Sequence, residues 1–84
     1  MISVKVLFFG EACQLVGKRD EAIEFPEETD YEEIRRIVLK KYPALEKIEK
    51  VMLIAVDQEY AHPGDRFELE RFTELAIIPP LSGG

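Results

Sequence analysis

One stretch of this chain reads as a long amphipathic helix, and it has to be buried. Asp30 stands before it as an N-cap, with Glu33 three residues on as the capping-box partner. Ile34, Ile37, Val38, Tyr42 and Leu45 recur at helical spacing and make a single apolar stripe. Glu32 and Glu33 fall in the first turn, Lys40 and Lys41 in the last, each at the end that the helix dipole favours. Pro43 disfavours helical geometry at Tyr42, so the helix is expected to end there. The remaining chain offers mostly extended segments to cover that stripe, which points to a sheet packed on one helix.

Those segments are legible from their periodicity. Ile2 to Phe9 reads as a first strand, with Ile2, Val4, Val6 and Phe8 on one face. Leu7 and Phe9 fall on the other face, which predicts a central strand covered on both sides at its far end. Gly10 breaks it, and Glu11 to Val16 makes a short helical turn closed by Gly17. Glu21 to Phe25 is a second strand, stopped by Pro26. Val51 to Val56 reads as a third, apolar on both faces, followed by turns at Asp57-Gln58-Glu59 and at His62-Pro63-Gly64-Asp65. Phe67 and Leu69 suggest a brief strand or a 3-10 turn, and Leu75 to Ile78 is the last strand, ended by Pro79-Pro80.

The order is strand, strand, helix, strand, strand. Two strands joined across a helix of this length can lie parallel with the helix over one face. The fold class expected is α+β: a β-grasp, or ubiquitin-like, architecture. It has a mixed sheet of four or five strands packed against one main helix, with the short helix beside it. At 84 residues the chain reads as a single domain, 1–84, with residues 79–84 as a projecting tail.

Composition excludes several classes. With 46% hydrophobic and 33% charged residues the chain is globular, not disordered. Cys13 is the sole cysteine and His62 the sole histidine, so neither an internal disulfide nor a zinc cluster is expected. The longest apolar run near the start, Val6 to Phe9, is far short of a signal-peptide core of roughly 7–15 residues or a membrane span of about 20. A reducing, cytoplasmic setting without membrane association fits these features. A net charge of −6 argues against nucleic acid as a partner, since phosphate binding draws on clustered Lys and Arg.

The end of the chain carries the chemistry. Pro79 and Pro80 favour polyproline geometry and stiffen the exit from the last strand. Leu81 and Ser82 follow, and then Gly83 and Gly84, which have no side chains and can thread a channel too narrow for other residues. The tip is a carboxylate. Joined to AMP it becomes a good electrophile, and attack by sulfide or persulfide on the acyl adenylate leaves a thiocarboxylate on Gly84. The chain would then be a cosubstrate whose catalytic groups lie in partner proteins. A terminal Gly-Gly also occurs in tails that are inert.

The chain resembles a known family, the small sulfur-carrier subunit of molybdopterin synthase. The residues that carry the resemblance are Val4-Lys5-Val6-Leu7-Phe8-Phe9, Ala55-Val56-Asp57-Gln58-Glu59-Tyr60 and the closing Ile78-Pro79-Pro80-Leu81-Ser82-Gly83-Gly84. The resemblance implies that an E1-like adenylyltransferase activates Gly84 with ATP and that a sulfur donor enzyme supplies the sulfur. It implies that Pro79, Pro80, Leu81, Ser82 and Gly83 enter the active site of a large subunit. There sulfur passes to cyclic pyranopterin monophosphate, and two rounds build a dithiolene within a heterotetramer. No bound cofactor or metal is implied for this chain. One departure is Arg71-Phe72-Thr73, which stands where the family usually has a Gly-Asp turn. Phe72 there is free to pack on the core or on a partner.

Alternatives stay open on the residues alone. They are a carrier of the same fold for thiazole synthesis or tRNA thiolation, a ubiquitin-like modifier joined to lysines through Gly84, and a binding module with an inert tail. Cys13, among Ala12, Leu15 and Val16, reads as a semi-buried small residue rather than a persulfide relay. His62 reads as an exposed loop histidine without the orienting partner a general base needs. Glu21, Glu24, Glu27 and Glu28 read as a solvated face. Gln58-Glu59-Tyr60 fits a turn or a partner contact, and Phe8, Leu75 and Ile77 fit either an apolar docking patch or the core.

Overall fold

The structure is a computed structural model that describes residues 1–80. Its main sheet runs in the order β2-β1-β7-β4-β5, formed by β1 (Ile2–Phe8), β2 (Asp20–Phe25), β4 (Leu53–Val56), β5 (Glu59–Tyr60) and β7 (Glu74–Ile78). A small second sheet pairs β3 (Glu28–Asp30) with β6 (Arg66–Glu68). Helix α1 (Gly10–Val16) follows β1, α2 (Tyr31–Lys41) follows β3, and a 3-10 helix (Pro43–Ile48) follows α2. This is the expected mixed sheet of the β-grasp architecture, with β1 in the interior between β2 and β7.

The parallel pair differs from the expected one. The strands on either side of α2 are not neighbours. The parallel ladder joins β1 to β7, the first and last strands, in the register Leu7↔Ala76 and Phe8↔Ile77. The remaining ladders of the sheet are antiparallel.

The core lies between the sheet and α2. Val4, Val6 and Phe8 of β1 and Leu75 and Ile77 of β7 meet Ile34 and Val38 of α2 and Leu45 of the 3-10 helix, all buried. Each such side chain contributes about 1.5–3 kcal/mol relative to exposure. Phe8, Leu75 and Ile77 are therefore core. Tyr42 closes one side, its ring edge-on to Phe8 at 5.4 Å and its hydroxyl donating to Glu21 Oε2 at 3.1 Å.

Local signals hold with identifiable exceptions. Asp30 caps α2, accepting from the Glu33 amide at 2.8 Å, but Glu33 does not reach back to Asp30. Its carboxylate accepts from the Thr29 hydroxyl at 2.6 Å, because Thr29 is buried and its donor needs a partner. The strand expected from Val51 starts only at Leu53. The Val51 and Met52 amides are tied back to the Ile48 carbonyl at 3.0 and 2.8 Å and are lost to the ladder. Asp57 and Gln58 both adopt positive φ, the geometry of a two-residue hairpin turn, so Glu59 belongs to β5 rather than to the turn. Phe67 lies in β6, whereas Leu69 lies just beyond it with its side chain buried.

Candidate functional site

The second face of the main sheet is open. With the helices packed against the other side, Leu7 and Phe9 are not covered, contrary to the expectation for β1: Leu7 is half-buried and Phe9 is 47% exposed. The ladders bring other apolar side chains to the same face. Leu7 is opposite Ala76, Ala76 opposite Ala55, Ala55 opposite Tyr60, and Leu53 opposite Ile78. Tyr60 is 59% exposed and Leu53 41%. Leu7, Phe9, Ala55, Tyr60, Ala76 and Ile78, together with the polar Gln58 and Glu74, line a shallow hollow of about 330 Å³.

This apolar field covers only one end of the face. It stops at Glu74, which is opposite Lys5, and farther along β1 Ser3 is opposite Glu24. The apolar end is the one from which the chain leaves the sheet, since Ile78 is the last residue of β7 and Pro79 follows it. Pro79 is half-buried and Pro80 exposed. Leu81, Ser82, Gly83 and Gly84, the rest of the expected tail, lie outside the described residues.

The other candidates are dispersed. Cys13 is half-buried on α1 and packs against the core. His62 is exposed in a turn, its amide donating to Asp65 Oδ2 at 2.9 Å while its ring Nδ1 stands 3.7 Å from the same carboxylate. The turn before β7 closes without a Gly-Asp pair: the Thr73 amide donates to the Glu70 carbonyl at 3.0 Å and the Glu70 amide to Thr73 Oγ1 at 2.9 Å. Phe72 is 85% exposed with the Arg71 guanidinium 5.7 Å from its ring centre, so it does not pack on the core. Glu24, Glu27 and Glu28 are solvated. Glu21 is held instead by Lys18 and by the Tyr42 hydroxyl, which keep its carboxyl below the usual range. Among the described residues no group of three or more His, Cys, Asp or Glu side chains is placed to hold a metal, and no helix is long and apolar enough to cross a membrane.

The exposed apolar patch is built from a different set of residues than Phe8, Leu75 and Ile77. Phe8, Leu75 and Ile77 had to face the one long helix. That helix covers a single face, so the apolar side chains of opposite phase, Leu7, Phe9 and Ile78, were left to the outside.

A model of the ThiS family matches residues 6–84, from β1 to the last residue. A molybdopterin synthase sulfur carrier subunit of Caenorhabditis elegans is 82% identical over 84 residues, covering 100% of both chains. The chain belongs to the ThiS family, with the molybdopterin synthase sulfur carrier subunits. Among solved structures, one chain of a protein–protein complex of subunits 1 and 2 of the molybdopterin-converting factor of Helicobacter pylori shares this fold. The matching chain there has a TM-score of 0.68 at 23% identity, covering 98% of this chain and 99% of that one. The small archaeal modifier protein 1 of Methanosarcina acetivorans matches with a TM-score of 0.75 at 24% identity, covering 100% of this chain and 98% of that one. At such identities both likenesses concern the fold alone.

Proposed function

We propose that this chain carries sulfur on Gly84 for molybdopterin synthesis and delivers it while docked on a large subunit through the apolar end of its open sheet face. One observation carries the reading: the exposed Phe9, Leu53 and Tyr60 lie on the sheet face at the end where β7 passes into Pro79-Pro80. A partner that covers this patch receives the tail at the same time, and patches of this kind mark protein–protein contacts.

The chemistry follows from a carboxylate with no side chain beside it. A partner adenylyltransferase joins the Gly84 carboxylate to AMP from ATP, releasing pyrophosphate. A sulfide-level nucleophile, supplied through a sulfur donor enzyme, attacks the acyl carbon, and AMP leaves. The thiocarboxylate sulfur then bonds to cyclic pyranopterin monophosphate within the large subunit, displacing an oxygen substituent, and water hydrolyses the acyl–sulfur bond, so the sulfur stays on the pterin and the tip returns as a carboxylate. This chain binds and presents, and the proton transfers belong to its partners. The chain's own contribution is proximity, which converts an encounter in solution into reaction within a complex. Pro79 to Gly83 serve as the part of the tail that the partner encloses.

A carrier of this design loses its function when the tip is displaced. One alanine added after Gly84 should abolish sulfur transfer in a reconstituted synthase while the far-ultraviolet circular dichroism stays that of the parent. A tailed variant that still makes molybdopterin would contradict the reading. The modifier alternative shares the fold and differs in product: it requires Gly84 joined to lysine amines, visible as isopeptide-linked adducts in lysate.

A further inference from the structure

The described glycines at positive φ fall into two kinds. A Cβ added at Gly17 or Gly64 would meet nothing within 4 Å, so there the backbone conformation alone favours glycine. At Gly10, with φ of +52°, a Cβ would stand 3.1 Å from Pro79 Cγ and 3.8 Å from its Cδ. Pro79 is the first residue after β7, and Gly10 opens α1 with only Phe9 between it and β1. The parallel β1/β7 pairing ends just before both, in a hydrogen bond from the Phe9 amide to the Ile77 carbonyl at 3.1 Å.

Both sides of this contact are held. On one side α1 is anchored by buried Ala12 and closed by the Gly17 amide on the Cys13 carbonyl at 2.8 Å. On the other the proline ring fixes its own φ and confines Ile78 to extended geometry. Little is left to adjust where they meet.

We propose that Gly10 is a positioning residue for sulfur transfer: its missing side chain is the space into which the Pro79 ring settles, and this sets the direction in which the tail leaves the sheet. The inference rests on the carrier reading above and deepens it. In this role Gly10 acts through Pro79.

The test uses full-length Gly10→Asn and Gly10→Val, each alone and with Pro79→Ala. Asparagine tolerates positive φ better than most residues, and the Pro79→Ala background separates contact with Pro79 from the backbone strain that a side chain meets at this φ. Three readouts are taken: thermal unfolding, affinity for the large subunit, and kcat for sulfur transfer in the reconstituted synthase. Gly10→Asn should unfold near the parent and bind the large subunit as well as the parent. Its kcat should fall on the order of tenfold or more, the effect of a small misplacement of a reacting group. Gly10→Val should lose more. In the Pro79→Ala background the same Gly10 substitutions should cost much less, because contacting residues couple. In proton spectra the parent should show contacts between the Gly10 α-protons and the Pro79 ring.

Equal kcat for Gly10→Asn and the parent would overturn the proposal. So would the same fold-loss in both Pro79 backgrounds, or a loss of kcat that only follows losses in stability and affinity. A parent chain that never acquires sulfur would remove the carrier reading and this inference together. That outcome is distinguishable because it is seen before any Gly10 variant is made.

Discussion

Glu21 is the acidic side chain whose titration the fold alters most visibly. The Lys18 ammonium, which donates to it, and then the Tyr42 hydroxyl hold its carboxyl below the ordinary 4.5. Because the folded value is depressed, its contribution to stability is present above 4.5 and is lost as pH falls through the lower folded value. Glu21→Gln should therefore flatten the acid decline in the urea midpoint, and a decline as steep as the parent's would contradict this. Burial and then Glu21 raise the Tyr42 phenol above 10.0. Its contribution is present below 10.0 and fades as pH rises through the higher folded value, so Tyr42→Phe should lose the alkaline part of the profile. Asp30 acts through geometry. As the cap of α2 it accepts from the Glu33 amide, and Asp30→Ala should cost about 0.5–2 kcal/mol, read as a lower denaturant midpoint at unchanged slope.

At the scale of elements, the two phases of β1 and β7 do different work. Leu75 and Ile77 face α2 and are fully buried. Leu75→Ala should destabilise by about 2–5 kcal/mol, measured by chemical unfolding. Phe9 and Tyr60 face outward, and the Phe9→Ser, Tyr60→Ser double variant should unfold like the parent. Its affinity for the large subunit should drop at least about tenfold, the loss expected when exposed aromatic anchors are removed from an interface. Retained affinity would remove the docking role of the open face. The same contrast explains what could be read from the chain. α2, its cap and the alternation of β1 and β7 rest on local periodicity and were legible, whereas the face that turned outward was not. The short strands β3 and β5 were not, because two or three residues carry no period and exist only through their partners across the ladder. The parallel β1/β7 pair was not legible either, since it joins the two ends of the chain and no local signal specifies it.

For the whole molecule, the fold brings the first and last strands side by side and sets Pro79, where the chain leaves β7, at the edge of an apolar field that spans four strands. The field was hidden in the sequence for a geometric reason. Its members come from Leu7 to Ile78, and which phase faced outward depended on where one helix lay. The tail was read from composition and position alone; its last four residues lie outside the described ones and carry the proposed chemistry. The direct test of that chemistry is the intact mass of the chain isolated from cells that hold a competent adenylyltransferase and sulfur source. A species heavier by the difference between sulfur and oxygen, absent when Gly84 is deleted, is the expected result. Recovery of the unmodified mass alone under those conditions would contradict the assignment of Gly84 as a sulfur carrier.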